Sequence, residues 1–169
     1  MSKKISNQVK SMRILKIATC LNNSGKATLT YHIGSTSDND IQFRLIANTG
    51  GGLFSSEWIS LPAIQIAFEK AAVPLASFPL IQLYKGKSTN TPAFLMAVLK
   101  HEGLVRNLEG NVRGYETVES YTFMDEMHAL IATGIDLKHI SPTPIKKSAT
   151  TVPSKKSKQA YMLITVRCS

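Results

Sequence analysis

Two runs of strict alternation, separated by seven polar residues, constrain this chain more than anything else in it. Ala27, Leu29, Tyr31 and Ile33 alternate with Thr28, Thr30 and His32. After residues 34–40, Ile41, Phe43, Leu45 and Ala47 alternate with Gln42, Arg44 and Ile46. A period of two marks a strand with one buried face, and two such strands joined by a short polar link pair most simply antiparallel. An apolar-rich run at residues 14–20, closed by the turn-prone Leu21, Asn22, Asn23, Ser24 and Gly25, predicts a strand ahead of them. The N-terminal part therefore reads as a three-stranded antiparallel meander, ended by Asn48, Thr49 and the glycines at 50–52.

Helical spacing takes over after the glycines. Ser60 is placed to cap a helix with Leu61, Ile64, Phe68 and Ala71 on one face, Pro62 in its first turn and Pro74 beyond its end. Residues 75–84 form a second apolar stretch, interrupted by Pro79, that predicts a short helix or an irregular packed segment. Thr91 as N-cap and Pro92 at the first helical position open a third segment that is apolar nearly all round from Ala93 to Leu99 and stops at Gly103. A helix of that composition is expected to be buried. Residues 104–106 and 112–118, about the turn at Leu108, Glu109, Gly110 and Asn111, predict a hairpin. Thr122 with Asp125 resembles a capping box before a last helix carrying Phe123, Met127, Leu130 and Ile131 on one face and ending at Gly134. The fold class is α+β: an N-terminal antiparallel three-stranded sheet, then helices, then a helix and hairpin.

The chain has 169 residues, 43% of them hydrophobic and 18% charged, which predicts one globular domain with a real core. No apolar run approaches the roughly 20 residues of a membrane-spanning helix, so no membrane partner is expected. The basic start lacks the apolar segment of a secretory signal, and the expected location is cytoplasmic. Small size without a targeting segment points to a bacterial cell or a mobile element as the source. Cys20 and Cys168 make neither a disulfide framework nor a four-ligand zinc site, and no cofactor is implied.

The net charge of +9 is unevenly spread. Residues 1–13 carry Lys3, Lys4, Lys10 and Arg13 with no acid. Residues 139–169 carry Lys146, Lys147, Lys155, Lys156, Lys158 and Arg167, again with no acid. Residues 14–138 hold ten basic and eleven acidic residues, so the expected domain is almost neutral between two basic arms. The second arm is rich in Ser, Thr, Pro and Lys, a composition that cannot offset the entropy of ordering. Such arms attract polyanions, and their lysines release counterions from DNA or RNA in a manner independent of base sequence. The apolar stretch at residues 160–166 would suit either a docked strand or an unstructured end.

Several motifs dissolve on inspection. Between Cys20 and Ala27 a phosphate-binding loop would need glycine at position 20, a hydroxyl at position 27 and a helix to follow, and none is there. The glycines at 50–52 have no supporting cation between Arg44 and Lys70, so a simple chain turn is expected rather than an anion nest. His32, His101, His128 and His139 stand in no ligand or relay spacing. Asp125 and Glu126 suit a helix start electrostatically rather than acid–base chemistry. Phe54 and Trp58 flank Glu57 with no lysine nearby, which favours core packing over base stacking.

One pattern carries a family likeness. The stretch from Ala97 through Lys100, His101, Glu102, Gly103, Leu104 and Val105 to Arg106, followed by Gly110, Asn111, Val112, Arg113, Gly114 and Tyr115, resembles the end of a winged-helix DNA-binding domain. There a helix stops at such a Glu-Gly-Leu-Val and a basic-tipped hairpin, the wing, follows. The resemblance covers about residues 91–118. It implies that Arg106 and Arg113 lie on the wing and touch phosphates, with Asn111 at its tip. A recognition helix also needs exposed polar residues for base edges, whereas residues 91–102 are apolar in the middle. The expectation is a non-enzymatic nucleic-acid-binding protein, DNA-associated or regulatory, with Arg106, Arg113, Lys85 and Lys87 on the folded contact surface and the arm lysines adding phosphate attraction. The alternative from another class is a protein-interaction or assembly subunit, with a protein partner or a homo-oligomer.

Overall fold

The computed structural model describes residues 11–139 except Lys87, with only the backbone of Val112 and His139. Its elements run β1 (Arg13–Leu21), β2 (Thr28–Ser35), β3 (Ile41–Asn48), β4 (Ile59–Ser60), α1 (Leu61–Glu69), a 3-10 segment (Phe78–Leu83), α2 (Thr91–His101), β5 (Val105–Leu108), β6 (Asn111–Thr117) and α3 (Tyr121–Ala132), with a last 3-10 turn at Leu137–His139. The class is α+β. The first sheet has the order β1-β2-β3-β4, antiparallel throughout, and β5 and β6 form a separate hairpin.

The sheet has four strands where three are expected. The fourth pairs Phe43 with Ile59 and Gln42 with Ser60. Two residues are too few for alternation to register in a sequence, yet they fix where the chain enters α1. Ser60 then caps that helix as expected, its Oγ accepting from the Ala63 amide at 3.3 Å, and Leu61, Ile64, Ala67 and Phe68 turn inward.

Alternation along the strands decides what each face holds. One face carries Leu29, Tyr31 and Ile33 from β2 and Ile41, Phe43 and Leu45 from β3, all buried in one core with the helices. Phe43 stacks on Phe123 of α3, ring centroids 5.9 Å apart and 18° from parallel. A bulge in β1 between Ile14 and Lys16 puts both Leu15 and Lys16 toward this side. Lys16 Nζ donates to Glu102 Oε2 at 2.9 Å and Glu126 Oε1 at 3.0 Å, while the Tyr31 hydroxyl donates to the other oxygen of Glu102. Glu102, at the C-terminal cap of α2, has a side chain only 3% exposed. The buried Glu102 carboxylate joins the end of α2 to β1 and β2, and Lys16 extends the network to Glu126 of α3.

The burial of α2 follows the expectation. Leu95, Met96, Ala97, Val98 and Leu99 are all buried. Its N-terminus differs in detail: Thr91 is the first helical residue rather than the cap, because its Oγ1 accepts from the Ser55 amide at 2.9 Å. At the other end Gly103 adopts φ of +74°. The Gly103 amide then reaches the Lys100 carbonyl at 3.1 Å and the Leu104 amide the Leu99 carbonyl at 2.9 Å, the paired bonds of a Schellman stop. Helix α3 starts two residues earlier than a Thr122 cap would place it, with Ser120 at the cap position and no side-chain capping bond.

Candidate nucleic-acid interface

The hairpin β5–β6 turns through Glu109 and Gly110, the latter at φ of +72°. Asn111 is exposed, and its Oδ1 accepts from the amides of Arg113 at 3.1 Å and Gly114 at 2.9 Å, so this side chain shapes the turn. Beyond Asn111 the pairing shifts between Asn107 and Leu108, leaving Arg113 in the irregular stretch, exposed and without an ion pair among the described residues. Arg106 is also exposed, but it faces Glu116 across the hairpin and its Nε donates to Oε1 at 2.6 Å. The two arginines share one hairpin and differ in how free their charge is. The hairpin is fastened to the loop after α1 by a bridge in which Leu75 and Tyr115 exchange amide-to-carbonyl bonds, each 2.9 Å.

Lys85 lies elsewhere, in the loop before α2. Its backbone amide and that of Gly86 donate to the two oxygens of Glu57, at 3.2 and 3.0 Å, and Ser55 Oγ donates to the same carboxylate at 2.7 Å. The Ser55 hydroxyl first, then the Lys85 amide, holds the Glu57 carboxyl below its ordinary range. An acid therefore sits against the backbone that carries Lys85. Lys87, Lys146, Lys147, Lys155, Lys156 and Lys158 lie outside the described residues.

Within α2 the exposed side chains are Lys100 and His101, at its C-terminal end. The middle of the helix is sealed in the core, so it is not free to enter a DNA groove. Beside the hairpin, a cleft of about 640 Å³ runs between α1 and β6, lined by Leu61, Ile64, Phe68, Leu75 and Leu104 with Glu69 and Glu116 at its polar edge. That lining suits apolar groups rather than phosphate. The Cys20 to Ala27 segment is the end of β1 and the turn that leads into β2, closed by the Asn22 side chain accepting from the amides of Lys26 and Ala27. Burial first, and the nearby Glu102 charge second, push the Cys20 thiol up to about 11, which leaves it a protonated structural group at neutral pH. Among the described residues no group of three His, Cys, Asp or Glu is placed to hold a metal, and no helix is long and apolar enough to cross a membrane.

The reverse face of the first sheet holds a group that local sequence reading misses. Register sets Ile17 against His32 and His32 against Arg44, one row across three strands. Trp58, just before β4, joins that row, with the Arg44 guanidinium carbon 5.6 Å from its ring centroid. It is half-buried here instead of lying in the core, while Phe54 does pack against the core. The ring lies over Gly34, where an added Cβ would come within 2.9 Å of Trp58 Cη2, Met12 Sδ and the Arg13 carbonyl. His32 Nδ1 and Arg44 Nε are shut from solvent and have no hydrogen-bond partner among the described residues. Burial first, and the Arg44 charge second, lower the His32 imidazole below its ordinary range. The signal present in the sequence is the alternation itself, which sets His32 and Arg44 on one polar face. Comparison with protein-family models, with characterised proteins and with solved structures finds no match to this chain.

Proposed function

We propose that this protein binds nucleic acid without catalysis, as a small cytoplasmic DNA-associated protein whose basic ends and hairpin contact phosphates. The observation that carries the reading is the separation of charge: a +9 chain whose two ends hold no acid around a middle that is almost neutral. In this reading the hairpin acts as the wing of a winged-helix-like unit, with Arg113 as its available cation and Arg106 reaching phosphate only by giving up Glu116. The sealed α2 supports contact with the backbone in preference to base readout. Binding is then salt-dependent and tolerant of sequence.

The test is fluorescence anisotropy of labelled duplex and single-stranded DNA with the full chain at two salt concentrations. Replacing Lys146, Lys147, Lys155, Lys156 and Lys158 together by Gln is expected to flatten the salt dependence, by a slope of roughly 0.9 for each duplex phosphate no longer neutralised. Arg113→Ala is expected to weaken binding further, and an unchanged affinity would remove the hairpin from the interface. Absence of binding to either DNA at low salt would overturn the whole reading.

Exposed apolar side chains favour a second one, a subunit that assembles with protein. Val73 and Phe78 are each 77% exposed and Ile81 is 46% exposed, on the segment that follows α1. Exposed apolar side chains gathered on one segment mark interaction sites where they form a patch. Sedimentation at micromolar concentration decides it: a monomer that copurifies with nothing would count against assembly.

A further inference from the structure

We propose that the reverse face of the first sheet is a platform for single-stranded nucleic acid, with Trp58 stacking on a base and Arg44, beside His32, receiving the adjoining phosphate. This rests on the nucleic-acid reading but moves one contact from the hairpin and the ends to a different surface.

Charge selects the occupant. The long strands β1, β2 and β3 contain no Asp or Glu, and the ionisable side chains they place on the reverse face are Arg44 and His32. The nearest acid in sequence to Trp58 is Glu57, and its carboxylate is already bound by Ser55 and by the amides of Lys85 and Gly86. Around the cation the face presents Thr19, Thr30 and Gln42, uncharged groups able to donate to phosphate and base edges. Among the described residues the positive charge of this face thus centres on Arg44, with an aromatic ring against it.

The aromatic ring selects single strands over duplex. Stacking on a side chain requires a base whose face is free, and every base has one, so the contact tolerates any sequence. A guanidinium beside the ring adds a cation to the same site. Gly34 is what lets the indole lie along the sheet, since any side chain there would stand where the ring now is. His32 Nδ1 and Arg44 Nε, without a partner among the described residues, are polar groups that native structures seldom leave unmet. Those two nitrogens are themselves closed to a ligand, so a phosphate on the row meets Arg44 through the rest of its guanidinium. An acidic polypeptide would engage Arg44 and leave the indole unused.

Trp58 is the only tryptophan in the chain, so its fluorescence reads this face directly. The full chain is titrated with an oligothymidylate of about 12 nucleotides, within the span of known single-strand sites, with a duplex of equal length, and with polyglutamate. Saturable quenching by the single strand, with little by the other two, is the expected result. Arg44→Gln and Trp58→Leu, checked for folding by circular dichroism, are each expected to weaken binding of the labelled oligonucleotide about tenfold. Should Arg44→Gln fail to fold, Arg44→Lys tests the same contact by keeping the charge and losing the planar fork. If anisotropy shows the oligonucleotide bound while Trp58 emission stays unmoved and Arg44→Gln binds as the parent does, the platform is wrong and the phosphate-binding reading survives. Equal quenching by polyglutamate or by duplex would also overturn the platform. No binding of any nucleic acid at low salt would overturn both.

Discussion

The two faces of the first sheet are made by the same three strands, yet they treat polar groups in opposite ways. On the covered face the charged cluster is cross-linked: Glu102 accepts from Tyr31 and from Lys16, and Lys16 also reaches Glu126. On the reverse face Arg44 and His32 keep buried nitrogen atoms without partners among the described residues. A buried carboxylate must be paired because removing it from water costs several kcal/mol. At a half-buried surface an unmet donor is tolerated, because water or a ligand can still reach the rest of the group. The contrast separates polar groups cross-linked into the fold from polar groups that the described residues leave unpaired.

The sharpest way to break that contrast is to attack the covered face. Phe43→Ala removes a buried ring stacked on Phe123 and is expected to cost about 3–5 kcal/mol in urea denaturation. Lys16→Met leaves Glu102 buried without its cation. A loss of about 2–3 kcal/mol is expected, below the range for a fully buried pair because Lys16 keeps 28% exposure. Adding Glu102→Gln to Lys16→Met should recover part of that loss, and failure to recover any would mean that Lys16 acts by packing alone. On the reverse face, Gly34→Ala pushes a methyl to within 2.9 Å of Trp58, Met12 and a backbone oxygen. About 1–2 kcal/mol is expected, together with a red shift of Trp58 emission as the ring lifts. Thr30→Ser, at the same surface, should stay within about 0.5 kcal/mol.

The pH dependence sharpens the comparison from both sides. The folded thiol of Cys20 ionises at about 11 against an ordinary value of 9.0. Tyr31 is raised too, by burial first and then by its bond to Glu102. Burial works against the Lys16 ammonium, but its hydrogen bonds to Glu102 and Glu126 outweigh that and raise it. Groups raised on folding contribute stability that is whole below their ordinary values and lost as pH climbs through the folded ones. The urea midpoint should therefore begin to fall near pH 9, and Cys20→Ala should remove part of the fall below about pH 11. His32 runs the other way: it is lowered on folding, so its contribution is whole above its ordinary 6.5 and is lost as pH falls below it. A midpoint flat between pH 7 and 5 in His32→Gln, against a declining parent, would assign that loss to the reverse face.

What the sequence makes legible follows from length and period. Eight-residue strands with period two, such as β2 and β3, declare both their faces, and the unbroken apolar body of α2 declares its burial. The two-residue β4 declares nothing. Thr91 reads as a cap because nothing in its neighbourhood reveals that Ser55, 36 residues away, takes its hydroxyl. Trp58 reads as core for the same reason, since its cation arrives by strand pairing from Arg44 and not from an adjacent lysine. Arg106, Asn111 and Arg113 fall on one hairpin, as their spacing about Gly110 predicts, but the pairing of Arg106 with Glu116 depends on register that composition does not carry.

The bridge between Leu75 and Tyr115 has a kinetic consequence. Each residue donates to the other, and both amides are closed by the same contact. Opening of the bridge releases both amides together, so in deuterated buffer the two are expected to show similar protection. The loop after α1 and the hairpin would then breathe on one clock, and a protein seated on Phe78 would slow an amide on the β6 strand that it never touches.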